Sequence, residues 1–574
     1  MKASTIRRRT SVPADDFAPR LHPVLRRVYA GRGVRSAAEL ELGLDQLLPV
    51  STLDGLDGAV GLLVHHFERQ SRVLVIGDFD TDGATSCALV LRSLRRLGFA
   101  DVGYLVPNRF EFGYGLTPEI VALAAQSSPA LIITVDNGIS SHEGVTEAGR
   151  RGIEVLITDH HLPPGELPRA TAIVNPNLAN ACFGSRSLAG VGVAFYVMAA
   201  LARALQTRGS FAGGFSVAEL LDLVALGTVA DLVPLDHNNR ILVAQGMKRL
   251  RAGRCVAGIT ALLEQANRSL ERVVAQDLAF AVAPRLNAAG RLDDMSLGVE
   301  CLLTDEIAEA RQLAARLTEL NEERREIEQR MQSEALEAVS RLRLESQGET
   351  LPGLCLFDES WHQGVVGLVA ARVKDRVHRP VIALARAEDG TLRGSARSVP
   401  GVHIRDVLEA IATRHPGLIE RFGGHAMAAG LTLQSDRLKH FTSAFVEEVA
   451  GWLDPAAQGI VETDGELTPE EMTLATALTL REAGPWGSAF PEPAFDGEFM
   501  LLESRIVGER HLKMRVRPSV SGEVFDAIAF RFVDGDAPSS KLPQGRARLA
   551  YRLDVNEYLG TRRLQLVVEH LEPS

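Results

Sequence analysis

The sequence is poor in cysteine, and none of its cysteines lies close to another along the chain. There are five in 574 residues, and no Cys-x-x-Cys occurs. They are Cys87, Cys182, Cys255, Cys301 and Cys355. Thiolate zinc sites need closely spaced cysteines, and small secreted scaffolds need many more of them. The sequence therefore argues against a structural zinc site and favours a reducing, cytoplasmic environment.

Long apolar runs and a surplus of positive charge are also missing. We find no apolar run of the roughly 20 residues that span a bilayer. Arg7-Arg8-Arg9 leads into polar residues and not into the apolar core of a secretory signal. The formal net charge of −11 argues weakly against a protein that coats nucleic acid, although a local basic groove stays possible. We expect no membrane contact.

One basic segment stands out at the N-terminus. Residues 1–35 hold nine Lys or Arg residues and only two Asp. We interpret this segment as a solvated tail in preference to a nucleic-acid contact. The remaining length is enough for three or four domains, each with a core of its own.

Between about Ser71 and Pro176 short apolar runs alternate with helical stretches. Strands are predicted over Val73–Ile76, Val102–Val106, Leu131–Val135, Val155–Thr158 and Ile173–Val174. This alternation predicts a parallel sheet with helices on both faces. In such sheets the ligand crevice lies at the carboxyl ends of the strands.

Acidic or imidazole side chains follow three of these predicted strands. In chain order they are Asp78, Asp80, Asp82, Asp136, Asp159, His160 and His161. Carboxylates this close repel one another, so a cation must lie among them. No Lys or Arg occurs in the first acidic stretch, which makes a divalent metal the simplest partner. A surface acidic turn is the less favoured alternative, because a buried apolar strand leads directly into the acids.

Oxygen and imidazole ligands without thiolates favour Mg²⁺ or Mn²⁺, and the imidazole favours Mn²⁺ of the two. Four Asp and one or two His residues suffice for two ions, which can activate a water for in-line phosphoryl displacement. Asp231, at the end of an apolar helical run, is a candidate fifth ligand because a buried acid must be paired. A helix cap or a salt-bridged acid is the more common role for such a residue. A structural metal or a plain acidic cluster would not explain why the ligands converge.

Two later segments have distinct patterns. Pro284–Arg291 combines two arginines with small residues, which predicts a loop close to an anion, although a plain packed loop fits equally well. From Asp305 to about Leu344 the chain is highly charged and lacks Gly and Pro, and apolar residues recur at helical spacing. Arg324 interrupts the apolar face, so we expect a helix that bridges two domains and not a coiled coil.

A second α/β region begins near Leu351. Strands are predicted over Leu354–Phe357 and Val381–Leu384, with a helix over Val365–Val377 between them. Residues 393–398 and 421–426 place small residues beside an arginine or a histidine. This composition lets backbone N–H groups approach phosphates, so we expect a phosphate-binding domain.

The C-terminal part predicts a helix over Thr468–Ala483 followed by short alternating strands. The strands are predicted over residues 512–517, 525–532, 548–555 and 564–568. The pattern indicates a small barrel of the OB type, a fold that often binds single strands. Aromatic residues are interleaved with the strands and could either fill the core or stack on bases. They are Phe525, Phe530, Phe532, Tyr551 and Tyr558.

Taken together, the motifs resemble those of the DHH phosphoesterase superfamily. The similar segments are Asp78-Phe79-Asp80-Thr81-Asp82-Gly83, Asp136-Asn137-Gly138, Asp159-His160-His161 and Gly227-Thr228-Val229-Ala230-Asp231. Gly423-Gly424-His425 resembles the signature of the DHH-associated domain. With the bridging helix and the barrel, the resemblance covers nearly the whole chain beyond residue 50. It implies an exonuclease that degrades single-stranded DNA from the 5′ end and releases mononucleotides.

The resemblance also implies roles for single residues. The implied ligands of Mn²⁺ or Mg²⁺ are Asp80, Asp82, Asp136, His160 and Asp231. The two implied catalytic residues are His161, which would polarise the scissile phosphate or act as a further ligand, and Asp159, which would orient an imidazole. Asp78 has no counterpart among the ligands and is left in a supporting role. The implied contacts to DNA are Arg109, Arg285, Arg291, Arg393, Arg397, Gly423, Gly424 and His425.

The resemblance further implies work in recombination and in mismatch or base-excision repair, beside a helicase and a single-strand-binding protein. We expect a cytoplasmic monomer. One alternative is a DHH enzyme for small substrates, such as an oligoribonuclease, a cyclic-dinucleotide phosphodiesterase or a pyrophosphatase, which would not need the long helix or the barrel. The other is a non-catalytic DNA-binding scaffold, which should have lost metal ligands that this chain keeps.

The expected architecture is therefore α/β, with a parallel-sheet DHH domain, a bridging helix, a second α/β DHH-associated domain and an OB-like barrel. The expected boundaries are 1–50 for the basic segment, 51–304 for the DHH domain, 305–345 for the helix, 346–453 for the DHH-associated domain and 454–574 for the barrel domain.

Overall fold

The computed structural model describes residues 4–10, 17, 21–108, 112, 115–211, 213–345, 351–452, 459–508, 510–519, 521–532, 542–558 and 561–573. The chain divides into two compact units. The first comprises Ile6–Thr318 and Val461–Ser574, and the second comprises Met1–Thr5 and Glu319–Ile460. Arg109, one of the expected DNA contacts, lies outside the described residues.

The bounds of the regular elements, within the described residues, are as follows. The strands are β1 Ser4–Arg8, β2 Val73–Gly77, β3 Val102–Leu105, β4 Leu131–Val135, β5 Glu154–Thr158, β6 Ala172–Val174, β7 Leu354–Phe357, β8 Val381–Arg386, β9 Leu392–Arg397, β10 Arg421–Gly424, β11 Ala428–Leu433, β12 Gly459–Thr463, β13 Phe495–Val507, β14 His511–Pro518, β15 Phe525–Ala529, β16 Gly545–Tyr558 and β17 Thr561–Pro573. The helices of eight residues or more are α1 Pro23–Ala30, α2 Leu56–Glu68, α3 Thr81–Leu97, α4 Pro118–Ala125, α5 His142–Arg150, α6 Gly190–Thr207, α7 Leu221–Ala230, α8 His237–Arg251, α9 Ala257–Gln265, α10 Ala283–Leu292, α11 Ser296–Leu303, α12 Ile307–Glu345, α13 Val366–Val377, α14 Ile404–Arg414, α15 Leu438–Trp452 and α16 Leu474–Glu482.

The first unit contains the predicted parallel sheet. Its five strands lie in the order β3-β2-β4-β5-β6, and every neighbouring pair is parallel. All residues of β2 and β4 are buried, as expected for central strands covered on both faces by helices. The five predicted strands are confirmed. The carboxyl ends of β2, β4 and β5 therefore meet at one edge.

Helix α3 begins directly after the first acidic residues. It starts at Thr81, because the side chain of Asp80 caps it by accepting a hydrogen bond from the amide of Gly83 at 3.0 Å. Asp82 consequently lies in the first helical turn, where the positive end of the helix dipole favours a carboxylate.

By length and composition alone, helix α6 is long and apolar enough to cross a membrane, and so is the bent pair of Leu44–Thr52 with Leu56–Glu68. In α6, 61% of the residues are buried inside the protein. Its Gly, Ala and Val residues allow close packing against α2, α3 and α7. We therefore describe α6 as a core helix.

The prediction of a loop at Pro284–Arg291 is wrong. The segment forms helix α10, preceded by a π-helical turn at Leu278–Val282. Pro284 lies in the first helical turn, where its missing N–H removes no needed hydrogen bond. Gly290 is required for close packing, because a Cβ there would lie 1.8 Å from the carbonyl oxygen of Phe79.

The second unit contains most of α12 and a five-stranded sheet in the order β10-β11-β9-β8-β7. The pair β7–β8 is parallel and the other pairs are antiparallel. The predicted long helix is confirmed as the single helix α12. Arg324, which interrupts its apolar face, is buried and donates to Asn321 at 2.7 Å and to Glu328.

The C-terminal strands form the predicted closed barrel, in the order β13-β14-β15-β17-β16. Strand β13 was not predicted. Phe525 and Tyr551 belong to the core, whereas Phe530 is 57% exposed. The barrel belongs to the same compact unit as the parallel sheet.

The solvated N-terminal tail is a wrong prediction for residues 4–10. Strand β1 pairs with β12, and Arg8 lies 2.9 Å from the buried carboxylate of Asp496. Arg32 likewise forms a buried ion pair with Asp464 at 2.8 Å. Arg8 and Arg32, two described residues of the basic segment, are therefore held by acids of the C-terminal region.

Candidate metal centre

The ends of β2, β4 and β5 and the end of α7 bring acidic and imidazole side chains together. Three groups of ligand atoms form, and the atoms within each group lie within 4.8 Å of one another. The groups are Asp136, His160 and His161; Asp82, His160 and Asp231; and Asp78, Asp80 and Asp136. All five expected ligands occur in these groups, so the residues of four separate motifs converge on one place. Asp78 and His161 join them.

His160 lies at the centre of the cluster. Its Nε2 is 3.0 Å from Oδ1 of Asp136, 3.6 Å from Oδ2 of Asp231 and 4.0 Å from Oδ2 of Asp82. Asp231, the C-terminal cap of α7, thus joins residues that are far from it in sequence. The imidazole and the carboxylates are close enough to share one cation.

The carboxylate of Asp82 is fully buried and is held by the first turn of α6. It accepts hydrogen bonds from the backbone amides of Gly190 at 2.6 Å and Val191 at 2.9 Å. Burial, followed by the charge of Asp80, raises the pKa of Asp82 to about 7. The two backbone amides and the helix dipole act against this increase, because they favour the ionised carboxylate.

Asp136 is also buried, and its backbone has a left-handed φ of +63°. Non-glycine residues rarely adopt this conformation except Asn and Asp, and it often marks functional sites. Burial, followed by the charge of Asp82, raises the pKa of Asp136 well above its usual range. Burial and the charge of Asp82 act in the same way on Asp231.

These raised pKa values mean that the carboxylates repel one another when all are ionised. A divalent cation removes that repulsion and replaces the lost hydration. Carboxylate oxygens with an imidazole nitrogen are a suitable donor set for Mn²⁺ or Mg²⁺. The residues present therefore fit the metal that the sequence predicts.

Asp159 organises the two histidines that follow it. Its Oδ1 lies 2.7 Å from Nδ1 of His161 and accepts from the backbone amides of His160 and His161 at 2.7 and 3.1 Å. Its Oδ2 accepts from the amide of Ile139 at 2.9 Å. Burial would raise the pKa of Asp159, but these hydrogen bonds and the charge of His161 lower it overall. Asp159 is thus an ionised anchor for the histidines.

The same contact sets the charge of His161. Burial alone would lower the pKa of His161, but the hydrogen bond and charge of Asp159 raise it to about 9. His161 is one-third exposed, so its ring can meet a ligand from solvent. An imidazolium there can donate to a phosphate oxygen.

Three glycines of the motifs allow the close packing around the carboxylates. A Cβ on Gly190 would lie 2.6 Å from Cβ of Asp136, and one on Gly227 would lie 2.8 Å from Oδ1 of Asp82. A Cβ on Gly83 would lie 2.5 Å from the carbonyl oxygen of Asp78. These distances are shorter than atoms tolerate, so any side chain would displace the ligands.

The expected DNA contacts among the described residues are distributed over both units. Arg285 and Arg291 lie on α10 in the first unit. The guanidinium of Arg285 donates to Thr318 at 3.1 Å and to the carbonyl of Ala281 at 2.5 Å. Five further residues lie in the second unit, where β9 and β10 both pair with β11. They are Arg393, Arg397, Gly423, Gly424 and His425.

Sequence reasoning missed several residues that build the site. Asn175 and Asn177 donate from their amides to the carbonyls of His161 at 2.9 Å and His160 at 2.6 Å. Asn287 accepts from the amide of Thr81 at 2.8 Å, beside the first acidic motif. The one available signal was the pair of glycines at the start of α6, Gly190 and Gly192, since helix N-termini bind anions. The asparagines gave none.

Comparison with known proteins gives matches over most of the chain. The family model of the "DHH family, N-terminal domain" matches residues 72–228, the "DHHA1 domain" matches 350–451 and the "RecJ OB domain" matches 463–570. The single-stranded-DNA-specific exonuclease RecJ of Escherichia coli strain K12 is 54% identical over 574 residues, 99% of each chain. The enzyme of that name from Haemophilus influenzae is 50% identical over 558 residues, 96% of each chain.

Solved structures are also similar. The crystal structure of RecJ in complex with Mn²⁺ from Thermus thermophilus has a TM-score of 0.80 and 29% sequence identity, covering 98% of this chain and 79% of that one. The complex with Mg²⁺ from the same organism has a TM-score of 0.74 and 28% identity, covering 98% and 78%. Both structures hold one of the two ions that the donor set fits.

Proposed function

The chain belongs to the RecJ family of single-stranded-DNA-specific exonucleases, and on that premise we propose that it removes mononucleotides from the 5′ end of single-stranded DNA in recombination and repair. It is a metal-dependent exonuclease. The observation that carries the proposal is the convergence of Asp82, Asp136, His160 and Asp231 within hydrogen-bond to ion-pair distances.

We assign the ligand role to five residues and propose that neighbouring groups contact the substrate. The proposed ligands of Mn²⁺ or Mg²⁺, two ions in all, are Asp80, Asp82, Asp136, His160 and Asp231. Bound there, the ions would lower the pKa of a water and neutralise charge on the phosphoryl oxygens. The amides of Gly190 and Val191 fix the carboxylate of Asp82.

The histidine beyond the ligands has a separate proposed role. His161 donates a hydrogen bond to the scissile phosphate, and its charge is maintained by Asp159 at 2.7 Å. Asp159 also accepts hydrogen bonds from the backbone amides of His160 and His161, so it acts as a positioning residue. Asp78 supports the first motif through the hydrogen bond that its Oδ1 accepts from the amide of Phe79.

The substrate strand needs contacts beyond the scissile phosphate. We propose that Arg109, Arg285, Arg291, Arg393, Arg397, Gly423, Gly424 and His425 bind DNA phosphates, and that the barrel binds the strand further from its end. Partners of the proposed monomer are a helicase and a single-strand-binding protein in the cytoplasm. The five-segment division of the chain given above remains a prediction.

The two alternatives have less support. An enzyme for small substrates has no use for the terminal barrel, to which the RecJ OB domain model extends. A non-catalytic scaffold has no reason to retain buried carboxylates that repel one another. Neither accounts for both features.

Digestion of oligonucleotides tests the proposal. Single-stranded and blunt duplex substrates, labelled at the 5′ or the 3′ end, are incubated with Mn²⁺, with Mg²⁺ or with EDTA. We expect the 5′ label to appear at once as a mononucleotide from the single strand, and no cleavage in EDTA. Early release of the 3′ label would reverse the polarity. Equal digestion of the duplex would contradict the substrate class.

A further inference from the structure

We propose that Phe280 is a stacking platform for a base of the DNA strand, at a cavity between the π-helical turn and the terminal barrel. The proposal rests on the nuclease function proposed above and adds a base contact that lies outside every motif. Phe280 is 71% exposed, more than any other large apolar side chain in the described residues. Single exposed apolar residues are common, so the case depends on three further observations.

The first observation is the local backbone. Phe280 lies within the π-helical turn Leu278–Val282, in which the amide of Ala283 donates to the carbonyl of Leu278. π turns are rare and occur frequently at functional sites. Leu278 and Val282 are fully buried on either side. These two buried residues anchor the turn, and the phenyl ring of Phe280 between them extends into solvent.

The second observation is the cavity that the ring lines. Its volume is about 430 Å³, and barrel residues Leu553, Val555 and Val567 form other parts of its wall. The charged lining residues are Arg268, Arg481, Arg552, Asp277, Glu492 and Asp554.

Three cations and three anions make the lining electrically balanced. Arg268 is paired with Asp277 at 3.1 Å, and Arg552 is paired with Glu492. A phosphate would need a surplus of positive charge, whereas a base needs an aromatic or apolar face and polar groups for its edges. The cavity therefore suits a base.

The third observation connects the cavity to the metal centre. Helix α10 follows the π turn directly, and the hydroxyl of Thr81 donates to the carbonyl of Ala283 at 3.2 Å. Thr81 stands between Asp80 and Asp82, two of the proposed ligands. Phe280 is three residues from Ala283, less than one helical turn. A strand held by both the metal centre and the barrel thus passes this cavity.

Binding and kinetics with a long single-stranded oligonucleotide test the proposal. Affinity is measured in EDTA to prevent cleavage, and kinetics are measured with Mn²⁺. We expect Phe280→Ala to weaken binding by about 5- to 150-fold, the loss expected for one base–aromatic stack, and to leave kcat at saturation unchanged. Phe280→Trp should retain the affinity. Phe215→Ala is the control, since Phe215 contacts Arg96 and does not line the cavity.

A series of oligonucleotides with a single abasic site identifies the stacked base. At one position the abasic site should weaken binding by the wild type and have no effect on Phe280→Ala. Wild-type affinity of Phe280→Ala, or the absence of such a position, would overturn the proposal. So would a lower thermal midpoint without weaker binding, because it would assign the ring to packing. If the wild type cleaves no single strand, the proposed function fails, and the binding series still tests Phe280.

Discussion

The carboxylate of Asp82 accepts a 2.6 Å hydrogen bond from the backbone amide of Gly190, 108 residues further along the chain. This contact places the positive end of α6 against a buried acid. It also brings the Cα of Gly190 so close to Asp136 that no side chain fits there. One glycine thus sets the position of two proposed metal ligands.

We predict that Gly190→Ala lowers nuclease activity by at least about tenfold, the usual effect of disturbing groups that orient metal ligands. The new Cβ would lie 2.6 Å from Cβ of Asp136, so the ligand must move. Cleavage rates across a Mn²⁺ titration measure the effect. Gly149→Ala is the control, because a Cβ on this helical glycine meets nothing within 4 Å. Equal activity of the two variants would contradict the close-packing argument.

We predict that Asp136→Asn abolishes hydrolysis without destabilising the metal-free protein. Asparagine has the shape of aspartate and tolerates the left-handed φ of +63°. The substitution removes the negative charge of a carboxylate whose pKa is raised first by burial and then by the charge of Asp82. Thermal midpoints in EDTA should therefore be equal to or above those of the wild type. The increase on adding Mn²⁺ should be smaller, because the ion binds the folded state less tightly.

The control for this prediction is Asp57→Asn, an exposed acid in the first turn of α2. It should behave like the wild type in both assays. A large loss of midpoint in metal-free Asp136→Asn would mean that the carboxylate stabilises the fold. Wild-type activity would remove Asp136 from the metal centre.

We predict that Asp496 stabilises the protein near neutral pH and not in acid. Burial would raise the pKa of Asp496, but hydrogen bonds from Arg8, Thr463 and Arg548 outweigh it and hold the pKa below its usual value. The stabilisation is therefore present above the unfolded pKa of about 4 and is lost as the pH falls through the lower folded value.

At pH 7, Asp496→Asn should lower the thermal midpoint by roughly 5 °C, as expected when a buried carboxylate loses its charge beside two half-exposed arginines. The difference should shrink steadily below pH 4. Glu503→Gln is the control, because its pair with Arg515 is exposed on both sides and contributes little. A difference that does not change between pH 7 and pH 3 would contradict the ionic origin.

The fold and the convergence of the acidic and imidazole residues were predictable because both follow local patterns. A buried strand that ends in acids is visible in residues 73–82, and the same holds at Asp136 and His160. Strand β13 was not visible, because its pairing with β14 shifts between Leu501 and Glu503 and the shift breaks the alternation.

Contacts between distant segments could not be predicted. Nothing near Asp496 indicates that Arg8, 488 residues away, pairs with it. The contact between Asn287 and Thr81 could not be predicted either. Asn287 belongs to Pro284–Arg291, a segment whose composition indicated a loop. Pro284 and Gly290 suggested a loop there more strongly than the other residues suggested a helix. In the structure Pro284 lies in the first helical turn, and Gly290 allows a close contact with Phe79.

The last prediction concerns Arg397 in the second unit. Its Nη1 donates to the hydroxyl of Ser395 and the carbonyl of Ala396, both at 2.8 Å, which fixes the guanidinium. Arg397 pairs across with Ala428, and Ala429 pairs with Gly424. Arg397 and Gly424 are therefore two strand spacings apart, roughly 10 Å. Residues 393–398 and 421–426, the two segments with a phosphate-binding composition, thus lie close together in one sheet.

We predict that Arg397→Ala weakens binding of a 5′-phosphorylated single strand by about tenfold or more, the loss of a charge-assisted hydrogen bond. Binding of the same strand without the 5′-phosphate should change little, because the guanidinium then has no terminal phosphate to hold. The Mn²⁺ concentration for half-maximal cleavage should stay at the wild-type value. Arg386→Ala is the control, because this arginine of the same sheet is paired with Glu359 at 2.9 Å. If Arg397→Ala binds both strands like the wild type, Arg397 does not contact the terminal phosphate. If its Mn²⁺ requirement rises instead, the residue acts through the metal centre.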